Sequence, residues 1–69
     1  METQNKFKDN LKTLRLNCKL GQVELAEKIG LSKGIISLWE NGLCEPSMTS
    51  LIILAKFFDV SIDFLVGLE

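Results

Sequence analysis

The polar side chains that are best spaced for binding chemistry lie between Lys33 and Asn41. If this segment is helical, steps of about 100° per residue place Lys33, Ser37 and Asn41 on one arc, opposite Ile36 and Trp39. An ammonium group, a hydroxyl and an amide can hydrogen-bond phosphate oxygens and the edges of bases. The pattern therefore indicates a surface for binding a nucleic acid.

Catalytic chemistry has little support in the same sequence. There is no histidine, no glycine-rich loop of the phosphate-binding kind and no coherent cluster of carboxylates or nucleophiles. Cys18 and Cys44 are too far apart for a CxxC motif and too few to bind zinc. We expect Cys18 to be buried on an apolar helix face, whereas Cys44 lies in a loop and could be an exposed free thiol. The sequence predicts no enzyme, cofactor, metal site or small-molecule ligand.

Two short helices must position the arc. The first is predicted from Gln22 to Ile29 and the second from Lys33 to Asn41. Gly30 fits the left-handed turn between them, and Ser32 is placed to cap the second helix. Two helices joined by such a turn form a helix-turn-helix, whose second helix commonly enters the DNA major groove.

Three further amphipathic helices complete the predicted fold. They run from about Lys6 to Cys18, from Met48 to Phe58 after a Ser47 cap, and from Ile62 to Val66 between Ser61 and Gly67. No stretch shows the alternation of a strand. We predict a compact all-α domain of five helices over residues 6–69, with a flexible N-terminus over residues 1–5. Its predicted core is Phe7, Leu11, Leu14, Leu20, Leu25, Ala26, Ile29, Ile36, Trp39, Met48, Leu51, Leu54, Ala55, Phe58, Val60 and Leu65.

Charge is divided unevenly along the chain, whose net charge is −1. Residues 1–33 carry seven basic and four acidic side chains, whereas residues 34–69 carry one basic and five acidic ones. Association with DNA depends on the local field, so this division allows one face to approach phosphates. No apolar run approaches the roughly 18 residues of a membrane span, and the first residues are unlike a signal peptide. We expect a cytoplasmic protein without a membrane partner.

The segments LGQVELAEKIGLSKGIISLWENG and EPSMTSLIILAKFFDVSIDFLVG resemble the Cro/CI-type (XRE, lambda-repressor-like) helix-turn-helix DNA-binding domains of bacteria and their phages. The resemblance extends from about Leu11 to Gly67 and implies a lambda-repressor-like arrangement of the five helices. Its most specific parts are Gln22, Leu25-Ala26, Gly30, Ile36, Glu40-Asn41-Gly42 and the DVSIDFL ending.

The resemblance also implies two internal roles. Arg15 and Glu40 form an ion pair that joins the first helix to the end of the recognition helix. Such a pair is either solvated and weak or partly buried, in which case its disruption strands a charge. Gln22 contacts a phosphate and braces the recognition helix, or it merely caps its own helix.

The predicted recognition surface is poor in hydrogen-bonding side chains. Lys33 can donate to guanine or to phosphate, and Ser37 can reach a base edge or a phosphate. Asn41 and the N–H groups after it are expected to meet phosphate. Gly34 lets the backbone approach, while Leu38 and Ile35 can pack only on a thymine methyl or a sugar. DNA shape is therefore expected to matter more than direct base readout. The predicted DNA-binding residues are Gln22, Lys33, Gly34, Ile35, Ser37, Leu38, Asn41 and Lys19.

These features predict a sequence-specific transcriptional regulator, a repressor that binds a pseudo-palindromic operator on double-stranded DNA as a homodimer. Ile53, Phe57 and Leu68 fall outside the core stripe and could form the dimer interface or pack against a missing C-terminal segment. The alternative function is a helix-turn-helix protein-interaction module, of an antitoxin-like or adaptor kind, that does not depend on DNA.

Overall fold

A computed structural model describes residues 6–69, and these residues form five helices and no strand. The predicted all-α, lambda-repressor-like fold is confirmed. The predicted flexible segment 1–5 lies outside the described residues. Within residues 6–69, no helix is long and apolar enough to cross a membrane. The helices are α1 Phe7–Asn17, α2 Gln22–Ile29, α3 Ile35–Glu40, α4 Met48–Phe58 and α5 Ile62–Val66.

Most predicted helix ends are found in the structure. Gly30 and Gly67 end α2 and α5 with φ of 74° and 89°, values that a residue without Cβ adopts most easily. The Ser47 hydroxyl accepts the Ser50 N–H at 3.1 Å, which caps α4. The Ser61 hydroxyl accepts the Phe64 N–H at 2.9 Å and caps α5 in the same way.

The bounds of α3 differ from the prediction, because the helix begins at Ile35 and not at Lys33. Lys33 and Gly34 form a turn before it, and Asn41 follows its last residue. Glycine costs about 1 kcal/mol in a helix interior, which favours starting the helix after Gly34. The predicted Ser32 side-chain cap is wrong within the described residues; its backbone carbonyl instead accepts the Ile35 N–H at 3.1 Å.

The core lies where α1, α2 and α3 meet α4 and α5. The buried apolar side chains of residues 6–69 were all predicted: Phe7, Leu11, Leu25, Ala26, Ile36, Trp39, Leu54 and Leu65. Seven further predicted core residues are half-buried and pack around them: Leu14, Leu20, Ile29, Leu51, Ala55, Phe58 and Val60.

Three expectations about burial are wrong. Cys18 is exposed, because α1 ends at Asn17 and Cys18 lies in the turn that follows. Met48 is 67% exposed, because it is the first residue of α4 and extends beyond the core. Cys44 is half-buried and packs against the core, so it is not an exposed loop thiol.

The helix α1 lies between the helix-turn-helix and the C-terminal helix α5. It packs against both α3 and α5. The Asn10 side-chain amide donates to the Phe64 carbonyl at 2.9 Å, and the Lys6 N–H donates to the Val66 carbonyl at 3.4 Å. A Cβ added to Gly67 would lie 2.9 Å from the Lys6 Cβ, so the two chain segments touch there.

Candidate nucleic-acid interface

The inner face of α3 is fixed by apolar contacts. Ile36 is fully buried, and Trp39 packs edge-on against Phe7 with ring centroids 5.9 Å apart. Ala26 is fully buried, and its carbonyl accepts the Leu31 N–H at 2.9 Å after the turn. The small Ala26 side chain lets α2 and α3 pack closely, which fixes how α3 is presented.

A buried ion pair fixes the C-terminal end of α3. The Arg15 guanidinium donates from Nε to Glu40 Oε2 at 2.7 Å and from Nη2 to Oε1 at 2.9 Å. The two side chains are only 8% and 4% exposed, so the pair is buried and not solvated. Arg15 Nη1 also donates to the Leu20 carbonyl at 2.7 Å, which ties in the loop between α1 and α2. Because the two hydrogen bonds are parallel, this bidentate pair fixes both the position and the orientation of Glu40 relative to α1.

Gln22 joins the same network from the start of α2. Its Nε2 donates to Glu40 Oε1 at 3.1 Å, so it braces α3 in the way that the family resemblance implies. The N-terminal cap of α2 is supplied by Glu24, whose Oε1 accepts the Gly21 N–H at 2.9 Å. The alternative, in which Gln22 serves only as a cap, therefore has no support in this geometry.

The network keeps both of its charges. Burial alone would raise the pKa of Glu40, but the hydrogen bonds from Arg15 and Gln22, with the charges of Arg15 and Lys12, hold that pKa below its ordinary value of 4.5. The hydrogen bond to Glu40 raises the pKa of Arg15 despite its burial. Both groups are ionised at neutral pH, and each compensates the other.

The outer arc of α3 faces away from these contacts. Lys33, Gly34, Leu38 and Asn41 are exposed, and Ser37 is half-buried. Ile35 is half-buried and packs against the core, so it lies at the margin of this arc. The Asn41 amide donates to the Ser37 carbonyl at 2.8 Å and to its hydroxyl at 3.2 Å. Two of the three polar residues of the arc, Ser37 and Asn41, are therefore bonded to each other.

Two predicted lysines lie before and within the helix-turn-helix: Lys19 precedes α2, and Lys33 lies in the turn before α3. Lys33 and Lys19 are exposed, and neither ammonium group makes a hydrogen bond or ion pair within the described residues. Lys19 also has a φ of 59°, in the left-handed region that non-glycine residues seldom adopt. Both cations are available to an external anion.

An apolar edge at the end of α3 was not predicted. The Leu43 N–H donates to the Leu38 carbonyl at 2.9 Å, and Gly42 adopts a φ of 70° between them. The two leucines remain 73% and 41% exposed. The sequence signal was present, since a glycine after a helix followed by an apolar residue is typical of this helix ending.

Comparisons with known proteins give a consistent result. A sequence model of the helix-turn-helix family matches residues 11–65. The chain is 43% identical over 63 residues to the HTH-type transcriptional activator BcrR of Enterococcus faecalis, a match that covers 91% of this chain and 31% of that protein. The chain thus spans less than a third of the length of that relative.

Solved structures show the same fold. A transcriptional regulator from Listeria innocua is 32% identical, with a TM-score of 0.87, over 94% of this chain and 61% of that one. The P22 c2 repressor, solved in complex with a synthetic operator, is 26% identical with a TM-score of 0.84. That match covers 99% of this chain and all of the repressor chain.

Proposed function

Because the chain belongs to the helix-turn-helix family, in its Cro/CI (XRE, lambda-repressor-like) branch, we propose that it is a sequence-specific transcriptional regulator that binds double-stranded DNA. One observation carries this proposal. The buried Arg15–Glu40–Gln22 network and the packing of Trp39 fix the inner side of α3, while its outer arc stays exposed. A rigidly held helix with a free outer face suits insertion into a major groove.

The proposed contacts divide between backbone and bases. Lys19, Asn41 and the start of α2 at Gln22 meet phosphates, which set the register. The turn at Lys33 and Gly34 leads α3 into the groove, where Lys33 donates to a guanine or a phosphate. The remaining members of the proposed surface are Ile35, Ser37 and Leu38. The P22 c2 repressor, which shares this fold, was solved with a synthetic operator, which supports such docking.

A binding assay tests the proposal directly. DNA sequences that bind the protein are selected from a random pool, and their affinities are then measured at about 50 and 200 mM salt. Phosphate contacts release counterions, so affinity should fall steeply with salt. Lys19→Ala should weaken binding to all sequences and reduce the salt slope by about 1. Failure to retain any DNA at the lower salt concentration would overturn the proposal.

Lys56→Ala is the matched control for that substitution. Lys56 is an exposed lysine on α4 and lies outside the proposed surface, in the acidic half of the chain. The Lys56→Ala substitution removes the same charge as Lys19→Ala. Because Lys56 lies outside the proposed surface, the substitution should leave the salt slope and the affinity almost unchanged. An equal loss in both variants would mean that net charge, and not the proposed contact, governs binding.

We further propose that the protein acts in the cytoplasm as a repressor that occupies an operator. BcrR is described as an activator and the P22 c2 protein as a repressor, so the shared domain serves both outcomes. A reporter assay distinguishes them: placing the selected site over a promoter should lower expression when the protein is present. Increased expression from that arrangement would assign it as an activator.

A homodimer is the proposed binding form, because two weak half-sites read together give higher affinity and a pseudo-palindromic site. Phe57 and Leu68 are exposed apolar residues that could contribute to the interface, while Ile53 is half-buried. Phe57→Glu should abolish cooperative binding to a two-half-site DNA, as measured by sedimentation and gel shift. Leu16→Glu, at an exposed apolar position of α1, is the control.

The apolar edge of Leu38 and Leu43 favours one second candidate, a protein-interaction module that needs no DNA. Exposed apolar side chains at the end of a recognition helix are also suited to contact a protein partner. The salt experiment separates the two functions, since an interaction module would show no DNA retention even at low salt.

A further inference from the structure

The outer arc of α3 presents an apolar side chain where bases would be read. Leu38 is 41% exposed. The two polar residues nearest to it on the same arc, Ser37 and Asn41, are bonded to each other, so a base edge would have to replace these existing bonds. Lys33 is free to donate, but it lies in the turn before α3. A hydrogen bond that replaces an existing one yields little net free energy. Burial of an exposed apolar side chain has no such competition.

The major groove offers one apolar group at base edges, the C5 methyl of thymine. Sugars also present carbon atoms, but every nucleotide has one, so sugar contact carries no sequence information. We propose that Leu38 determines binding specificity by packing against the C5 methyl group of a pyrimidine. This inference rests on the proposed function, since it requires α3 in the major groove.

A contact to this methyl group should also make binding sensitive to cytosine methylation. 5-Methylcytosine carries the same methyl group at the same position of the groove edge. If the methyl is what Leu38 contacts, a methylated cytosine at the contacted position should bind better than an unmethylated one. Site choice would then respond to cytosine methylation as well as to sequence.

The experiment removes each side of the contact in turn: the methyl group from the DNA, and the leucine side chain from the protein. Each thymine of the selected site is replaced in turn by deoxyuridine, which pairs identically but lacks the methyl. Competition binding is measured with the unmodified protein and with Leu38→Ala. One buried methyl group corresponds to about fourfold in affinity. We expect a loss of that size at one or two thymines with the unmodified protein and no loss there with Leu38→Ala.

A matched pair of DNA sites tests methylation. At the sensitive position, 5-methylcytosine should bind about fourfold more tightly than cytosine, and only when Leu38 is present. Leu16→Ala is the protein control, because it truncates another exposed leucine, which lies on α1 outside the proposed surface. It should retain the full deoxyuridine penalty.

Each outcome decides the question. A deoxyuridine penalty that persists in Leu38→Ala, or its absence at every thymine, overturns the inference while leaving DNA binding intact. If the unmodified protein binds no DNA, the proposed function itself fails. If Leu38→Ala binds too weakly for competition, selection is repeated with that variant at low salt. Continued selection of thymine at the sensitive position would then contradict the inference.

Discussion

The inner and outer faces of α3 differ sharply in how they are held. On the inner face, Ile36, Trp39 and Glu40 each contact at least one other helix through packing, ring contact or ion pairing. On the outer face, Leu38 is exposed, and the Asn41 side chain is hydrogen-bonded to Ser37 of the same surface. Stability therefore rests on one side of this six-residue helix and the proposed DNA contacts on the other, and substitutions should separate the two properties.

The contrast has a physical origin in the length of α3. An isolated helix of six residues is unstable in water, because its few hydrogen bonds do not offset the cost of nucleation. Its structure must come from tertiary contacts, and only the inner face has them. Substitutions on the outer face should therefore affect stability little, which suits the DNA-contacting role proposed for it.

The largest expected effect is at Trp39, on the inner face. Trp39→Ala removes a buried indole and should cost about 3–5 kcal/mol, enough to unfold a domain of this size. Loss of the cooperative thermal transition in circular dichroism would show it. Trp39→Phe is the control: it keeps an aromatic ring and removes an indole N–H that has no hydrogen-bond partner within residues 6–69. Trp39→Phe should lose clearly less of the free energy of unfolding than Trp39→Ala. A Trp39→Ala variant that still melts cooperatively would contradict the importance of the inner face for stability.

The ion pair should give the next largest effect. Arg15→Met leaves the buried Glu40 carboxylate without its partner, at a cost of about 3 kcal/mol or slightly more. Replacing both, as Arg15→Met with Glu40→Leu, removes the stranded charge and should recover much of that loss. Urea unfolding of the two single variants and the double variant measures the coupling. Additive losses would mean that the pair contributes little beyond packing.

Acidic pH should weaken the same pair. The pKa of Glu40 is lower in the folded protein than its ordinary value of 4.5, so the folded state holds the ionised form more tightly. That contribution is fully present above about pH 4.5 and is lost as the pH falls through the folded-state pKa. Unfolding curves between about pH 6 and 3 should show a steeper loss for the unmodified protein than for Glu40→Gln. Parallel curves for the two proteins would show that Glu40 does not contribute to the loss of stability at acidic pH.

The smallest effect on stability is expected on the outer face. Leu38→Ala and Ser37→Ala should each change the free energy of unfolding by no more than about 0.5 kcal/mol, because neither side chain is in the core. Thermal melts measure this, and DNA affinity of the same samples should change more. A destabilisation comparable to that of Arg15→Met would erase the distinction between the two faces.

Helical periodicity was sufficient to predict the five helices and the buried apolar residues, because both follow from repeating apolar side chains. It was insufficient where a single residue ends or delays a helix. Cys18 lies on the predicted apolar stripe of α1, but the helix stops one residue earlier. Gly34 likewise delays the start of α3, which places Lys33 in a turn.

The candidate site shows a different limit. The Arg15–Glu40 pair came from family resemblance, since the two residues are 25 positions apart and nothing in their local sequence connects them. The hydrogen bond from Arg15 to the Leu20 carbonyl and the bond between Ser37 and Asn41 depend on three-dimensional geometry. A sequence pattern shows which side chains are present, but it does not show which of them form hydrogen bonds with each other.

The contact between Gly67 and Lys6 places the two ends of the described chain side by side. A peptide joined after Glu69 would therefore leave the molecule next to the first turn of α1, the helix that also carries Arg15. A force or a bulky group applied next to Lys6 or Gly67 would therefore act on α1, whose Arg15 side chain is bonded to Glu40 of α3. Circular permutation, with the ends fused by a short linker and a new opening cut between Leu43 and Pro46, is a practical way to relocate that attachment point.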